Sequence, residues 1–353
     1  MPPKPRAVGI TDVARLAGVS TATVSRTLMT PSRVKPATRD AVMAAVAAIG
    51  YTPNQAARSL RARKSMMAMV IVPTLANLFF SEVIRGIDAA LSRAGYGLII
   101  GNLDNQRARE RHFVDLAFAG QVDGVLLMNG WMLTKDDRSL RDSGLPIVAL
   151  SSSVEGADIP KVVVQDREAA AAAAAHLIAL GHRRLGYVSG PADNWVADER
   201  WRGFREGVAA AGLDPSSVVY WQGSFHFPTG TTAAEAFLRL SEPPTGIFAC
   251  SDEMAIAFIK RIRQAGHAVP EAVSVVGFDG IEFSLYSEPT LTTIHQPRHE
   301  MGRIGASVLL SMINEPGIPQ PEWTRMPVPL VPRDSTGPAP THGRVRKPAT
   351  VVG

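Results

Sequence analysis

The stretch GVSTATVSRTLMTPSRV, Gly18 to Val34, crowds small hydroxylated residues around a single arginine. At helical spacing Val24 and Leu28 turn inward, which leaves Thr21, Ala22, Ser25 and Arg26 facing out. Hydroxyls suit phosphate oxygens and a guanidinium suits a bidentate contact, so the chemistry this pattern offers is polyanion recognition. Charge points the same way. Residues 1–65 hold eleven Lys and Arg against only Asp12 and Asp40, a balance of +9, while the other 288 residues sum to −4. A basic head on a mildly acidic body is the footprint of a nucleic-acid-binding module joined to something else.

Reactive constellations are scarce in the body. The first strand-to-helix turn reads VPTLANLFF, without a dinucleotide glycine fingerprint, and neither a Walker GK[ST] nor a G-x-S-x-G elbow occurs. His176 and His182 have no partners at metal spacing and read as helix-end residues. Cys250 is the lone cysteine, which excludes an internal disulfide and a cysteine-rich zinc site. No enzyme activity, cofactor or metal is expected. Apolar runs such as MMAMVIV and Ala169–Ala175 fall short of the roughly 18 residues of a membrane span, and no signal-peptide core follows Lys4 and Arg6. A cytoplasmic protein is expected.

The elements that would position these residues follow from punctuation and period. Thr11 is expected to cap a first helix with Val13, Leu16 and Ala17 inward, ended by Gly18; Ser20 caps a second, closed by Pro31. Pro36 opens a third, with Val42, Met43, Val46 and Ile49 at helical spacing before Gly50. Three short helices with a tight turn between the first two make a helix-turn-helix unit. From Met66 the pattern becomes strand-length apolar runs alternating with amphipathic helices, in two series of about five strands. Such alternation predicts an α/β body of two Rossmann-like lobes with parallel sheets and a cleft between their strand ends.

ITDVARLAGVSTATVSRTL, TRDAVMAAVAAIGYTPNQAARSL, FFSEVIRGI, DGVLL, GHRRLGYVSGP, SDEMA and VSVVGFDG…PTLTTIHQP appear in one order along the chain. In these blocks the chain resembles the LacI/GalR family of bacterial transcription regulators, from about Ile10 to Arg333. The pattern is nearest the family's cytidine-, ribose- and purine-responsive members. The resemblance implies a helix-turn-helix domain at 8–52, a hinge helix and linker at 53–65, and a two-lobed periplasmic-binding-protein-like effector domain. Its N-lobe would comprise 66–164 and 295–325, its C-lobe 165–294 and 326–335. Residues 336–353 are expected to be a disordered tail. Without a leucine heptad after Arg333, a homodimer is expected, paired through its N-lobes and bound to palindromic operator DNA.

The resemblance also assigns roles. Thr21 and Ala22 would let the second helix sit close to base edges in the major groove, with Arg26 placed for a bidentate contact to guanine. Thr11, Ser20, Thr23 and Ser25 would contact the DNA backbone. In YTPNQAARSLRARKS, Asn54, Arg58, Ser59 and Arg61 would join them around Leu60, the minor-groove wedge. In the effector cleft, Phe79 and Phe80 would form a wall, Asn194 and Arg200 a clamp, Phe225 a stacking face and Asp279 a binding acid. Ser151 and Ser152 would sit at its mouth. Ser251 is a further candidate, ahead of Asp252, which is expected to cap a helix.

An arginine fork and a carboxylate can together serve vicinal hydroxyls, and their charges cancel. That favours a neutral sugar or polyol over a phosphorylated ligand. A nucleoside is the alternative; a free purine base is disfavoured because purine-responsive members carry arginine where this chain has Asn194. A structural reading stays open beside it, with Arg200 an interdomain salt-bridge partner and Asp279 a turn residue. A sugar-binding transport protein or an enzyme without a DNA role is the competing class.

Overall fold

The computed structural model describes residues 8–51 and 64–340. The chain forms two compact units, Met1–Ser65 and Met66–Gly353.

The first unit contains α1 (Ile10–Leu16), α2 (Thr21–Met29), a short turn of 3-10 helix at Pro31–Arg33 and α3 (Pro36–Ile49). Its core is Val13, Ala14, Val24, Val42 and Ala45, with Leu28, Val46 and Ile49 packed against them. As expected, the Ser20 hydroxyl accepts the Thr23 amide at 3.1 Å, Pro36 opens α3 and Gly50 closes it at φ 61°. Thr11 does not cap α1. The cap lies two residues earlier, at Gly9, whose amide donates to the Asp12 carboxylate at 3.0 Å, and the helix begins at Ile10. Leu16 and Met43, expected inside, are exposed. The inward stripe of α3 runs Val42, Ala45, Val46, Ile49, so Met43 rotates out by one step of 100°.

The second unit begins with β1 (Met67–Val72), α4 (Phe79–Arg93), β2 (Gly97–Asn102), α5 (Glu110–Phe118) and β3 (Gly124–Leu127). A small hairpin follows, β4 (Thr134–Lys135) and β5 (Arg138–Ser139), then β6 (Ile147–Leu150) and β7 (Lys161–Val164). The second series is α6 (Asp166–Ala179), β8 (Leu185–Val188), α7 (Trp195–Ala210), β9 (Val219–Trp221), α8 (Phe227–Leu238), β10 (Gly246–Ala249), α9 (Asp252–Gln264), β11 (Ser274–Asp279) and β12 (Thr292–His295). Last come α10 (Arg298–Asn314), β13 (Trp323–Met326) and β14 (Leu330–Val331).

These strands form two six-stranded sheets, ordered β13-β7-β6-β3-β1-β2 and β14-β12-β11-β10-β8-β9. All neighbours are parallel except β12 and β14. Each lobe is one sheet with helices on its faces, and the chain passes between lobes three times: after β7, after β12 and after β13. The inner strands β1, β3, β6, β8 and β11 are buried along nearly their whole length, which explains their unbroken apolar runs. Two helix pairs cross at glycine. A Cβ at Gly302 would lie 2.0 Å from the Val83 carbonyl oxygen, and one at Gly203 would lie 1.9 Å from that of Arg167. The backbones can approach only because no side chain intervenes.

Part of the expected disordered tail is ordered. Thr336 bonds the His176 ring at 3.0 Å, the Gly337 amide donates to the Ser274 hydroxyl at 3.0 Å, and the Ala339 amide donates to the Leu180 carbonyl at 2.8 Å. His182, buried, meets Thr245 on one ring nitrogen and the Gly337 carbonyl on the other. The two histidines that lacked partners in sequence thus fasten residues 336–339.

Candidate functional site

In the first unit, α2 presents Thr21, Ala22 and Arg26 to solvent, with Ser25 and Thr23 half-buried and Ser20 exposed at its start. Ser20 spends its hydroxyl on the cap and on the Thr23 hydroxyl 3.0 Å away. Thr11 is exposed near the start of α1. Among the described residues no carboxylate pairs with Arg26, which leaves its guanidinium open to solvent. Asn54, Arg58, Ser59, Leu60 and Arg61, and with them the expected hinge helix, lie outside the described residues.

In the second unit a cavity of about 220 Å³ lies between the lobes, at the carboxyl ends of β1, β3 and β6 on one side and β8 and β11 on the other. In both sheets the strand order reverses beside the first strand of its series, and ligands of open α/β sheets bind at that point. Phe79, Phe80, Ser151 and Ser152 line it from the first lobe; Asn194, Arg200, Phe225 and Asp279 line it from the second. Ser251 does not. It is the N-cap of α9, accepting the Met254 amide at 3.2 Å and donating to the Phe225 carbonyl at 3.1 Å. Asp252, expected as that cap, is instead buried inside the helix start, accepting the Ile281 amide at 2.8 Å and the Thr293 hydroxyl at 2.5 Å. Asn194 lines the cavity and also caps α7, its side-chain Oδ1 accepting the Ala197 amide at 3.1 Å.

Arg200 is 4 % exposed and organises the C-lobe side. Its Nε donates to Asp166 at 2.8 Å, one terminal nitrogen donates to the Cys250 carbonyl at 2.5 Å, and Asp279 lies 3.9 Å away. Its guanidinium stands 3.5 Å from the centroid of Phe278. Asp166 belongs to the same lobe, so Arg200 is no interdomain partner. Burial works against its charge, but Asp166 and Asp279 outweigh it and raise its pKa. Asp279 sits at φ 118°, a backbone region that disfavours side chains and costs strain. Burial lifts its pKa to about 7 against the pull of Arg200, Arg298 and the Gln296 amide, which donates to it at 2.8 Å. Burial likewise raises Asp166 and, together with the charge of Asp279, Asp252.

Several lining residues escaped the sequence reading: Asn77, Asn129, Trp131, Trp195 and Gln296. Asn129 and Gln296 each follow a strand's carboxyl end, which is the signal that could have found them. Each is locked at its amide nitrogen. Asn129 donates to the Trp131 carbonyl at 2.7 Å and Gln296 to Asp279, while the Trp131 indole donates to buried Glu110 at 2.7 Å. The oxygens of both amides and the Ser152 hydroxyl have no partner among the described residues, and all three residues line the cavity. Buried acceptors are rarely left unmade.

Residues 9–54 match the signature of bacterial regulatory proteins of the lacI family, and residues 174–336 that of a periplasmic binding protein-like domain. Among curated relatives, the HTH-type transcriptional repressor CytR of Escherichia coli (strain K12) is 36% identical over 305 residues, 86% of this chain and 89% of CytR. Among solved structures, the Lac repressor dimer bound to operator and the anti-inducer ONPF superposes with a TM-score of 0.83 at 26% identity, covering 94% of this chain and all of that one. The transcriptional regulator CelR in complex with cellobiose has a TM-score of 0.68 at 30% identity, covering 93% and 99%. Among the described residues no helix is long and apolar enough to cross a membrane. With a helix-turn-helix head, a two-lobed body and relatives aligned along nearly its whole length, the chain belongs to the LacI family of DNA-binding transcriptional regulators.

Proposed function

We propose that this regulator is a repressor whose operator affinity is set by a neutral sugar or polyol held between its lobes. The observation that carries the reading is the set of unpaired acceptors: Asn129 and Gln296 through amide oxygens, and Ser152 through its hydroxyl. A ligand that satisfies the two amide oxygens must donate to both, while the Ser152 hydroxyl can donate or accept, a demand that a run of hydroxyls meets. Asp279 adds a fourth acceptor, and Asp166 already meets the charge of Arg200 at 2.8 Å, so a neutral ligand needs no further counter-charge. Phe79, Phe80 and Phe225 would cover the C–H faces of the ring. The cellobiose held by the CelR relative is of this class. A nucleoside is the second reading, favoured by the indoles of Trp131 and Trp195 in the cavity wall, which offer flat surface for a base.

Two copies would bind a palindromic operator, as the Lac repressor dimer binds its own. Each would place α2 in the major groove: Thr21 and Ala22 close to the bases, Arg26 on a guanine, and Thr11, Ser20, Thr23 and Ser25 at the backbone. Effector binding would shift the lobes and with them the spacing of the two heads. Arg26→Ala should weaken operator binding by about 1–3 kcal/mol and relax the preference at a single base pair of each half-site. Selection of bound sites from a random DNA library reads both. An even loss across all sequences would reassign Arg26 to phosphate.

Thermal melting against separate panels of pentoses, hexoses, polyols and nucleosides tests the effector. At a thousandfold its Kd a ligand adds about 4 kcal/mol to the stability of the folded state, a large shift of the midpoint. A shift with sugars or polyols supports the reading, and a shift with nucleosides alone replaces it with the second.

A further inference from the structure

Buried carboxylates outside the cavity wall have structural partners in most cases, but one reaches across the lobes. Glu253 is the second residue of α9, in the C-lobe, and is 3 % exposed. Its Oε1 accepts the backbone amide of Leu78, 175 residues away in the N-lobe, at 2.9 Å. Leu78 is the N-cap of α4 and supplies no side-chain cap of its own. A helix start leaves its first amides unpaired and carries partial positive charge, so a carboxylate there is both hydrogen-bonded and electrostatically favoured. Glu253 also stands in the first turn of α9, so two helix starts from different lobes converge on one carboxylate. That convergence accounts for a buried acid without an arginine or lysine partner among its contacts.

Its neighbours belong to the same seam. The His226 ring nitrogen Nδ1 lies 3.6 Å from Oε2. Next to it the Phe225 carbonyl accepts from Ser251 of its own lobe at 3.1 Å and from Asn77 of the other at 3.5 Å. The residues directly after Leu78 are Phe79 and Phe80, whose rings meet edge to face at 5.4 Å on the cavity wall.

We propose that Glu253 is a positioning residue of the effector site: a C-lobe carboxylate that caps N-lobe helix α4, holding the lobes together at the cleft mouth and Phe79 and Phe80 over the cavity. Opening the cleft removes the Glu253 cap on Leu78 and leaves α4 held only from its own lobe, where the Asn77 side-chain oxygen accepts the Phe79 amide at 2.8 Å, so closure tightens the placement of the aromatic wall. The effector closes the cleft around a bond the protein already makes. This extends the proposed site by one residue and holds whichever effector class is correct.

The test is amide hydrogen exchange and small-angle scattering on the full chain without ligand, comparing wild type with Glu253→Ala and Glu253→Gln. In the alanine variant exchange at Leu78 should quicken at least about tenfold, the loss of about 1.4 kcal/mol of local protection, and the radius of gyration should grow. Amides in the middle of α9 should keep wild-type rates. Glutamine retains an acceptor oxygen, so it should restore much of the protection at Leu78, a rescue that mere filling of space would not need. If the alanine variant fails to fold, the glutamine variant carries the test, with exchange at Leu78 between wild-type and unprotected rates. Unchanged exchange at Leu78 in a folded variant overturns the proposal, as does quickening spread equally over α9 and α4. Both readouts are free of ligand, so a sugar panel that shifts nothing sinks the effector reading alone.

Discussion

Arg200→Ala should lower folding stability by about 3–5 kcal/mol and abolish the response to any effector. The stability loss comes from what stays behind. Asp166 and Asp279 are buried carboxylates that share this guanidinium, and the Cys250 carbonyl takes one of its N–H bonds. Removing one member of a buried ion pair leaves its partners without compensation, which costs far more than the pair itself is worth. Lysine should rescue poorly. One ammonium cannot reproduce a planar fork that donates to Asp166 and Cys250 while lying over Phe278. Urea melts of wild type, Arg200→Ala and Arg200→Lys measure this. Adding Asp166→Asn to the alanine variant should recover part of the loss, because one stranded charge is gone. A loss under about 1 kcal/mol for alanine would mean that water enters and solvates the carboxylates, and Arg200 would then be a surface group in function if not in burial.

How much of this was legible follows the range of the interactions. Ser20, Pro36 and Gly50 act within one turn of chain, so their caps and stops could be read directly. The parallel lobes were legible because fully buried strands must be apolar throughout. Ser251 took the cap expected of Asp252 because both side chains can cap and the helix starts one residue earlier; at α1 the cap lies two residues before Thr11, at Gly9. Leu16 and Met43 were misplaced by one helical step. What composition and period could not reveal is what the fold brings from afar. The Glu110 bond to Trp131 and the Glu253 cap on Leu78 join residues apart in sequence and leave no local pattern, while Asn129 and Gln296 offered only their places just past strand ends. Thr336–Ala339 read as tail because their anchors, His176, Ser274 and Leu180, lie 60 to 160 positions upstream.

Asp279 should make stability fall as pH rises from about 4 to about 7. Its pKa is 3.8 in the unfolded reference and about 7 in the fold, where burial disfavours the anion. Between those values the unfolded chain has released a proton that the folded chain still holds, so raising the pH draws the equilibrium toward unfolding. Below about 4 both states are protonated and the full stability is present; above about 7 both are ionised and the loss is complete, about 4 kcal/mol across the whole window. Asp166 and Asp252 shift in the same direction. His176, His182, His267 and His295 oppose them: burial lowers their pKa values, so they add stability as pH rises toward about 6.5. The Asp279→Asn variant separates the contributions, since Asp166 and the histidines largely cancel in the difference, while the part of the Asp252 shift that the Asp279 charge causes goes with it. Wild type and variant should be nearly equal near pH 4, and the variant more stable from pH 7 upward. The effector should show the opposite sign. Hydroxyl donors bond an ionised carboxylate more strongly than a neutral acid, so affinity for a polyhydroxyl ligand should rise through pH 7 in wild type and stay flat in the variant. A stability difference that does not change with pH would mean that Asp279 is already ionised well below 7, with Arg200 and Arg298 prevailing over burial, and the pH dependence of binding would vanish with it.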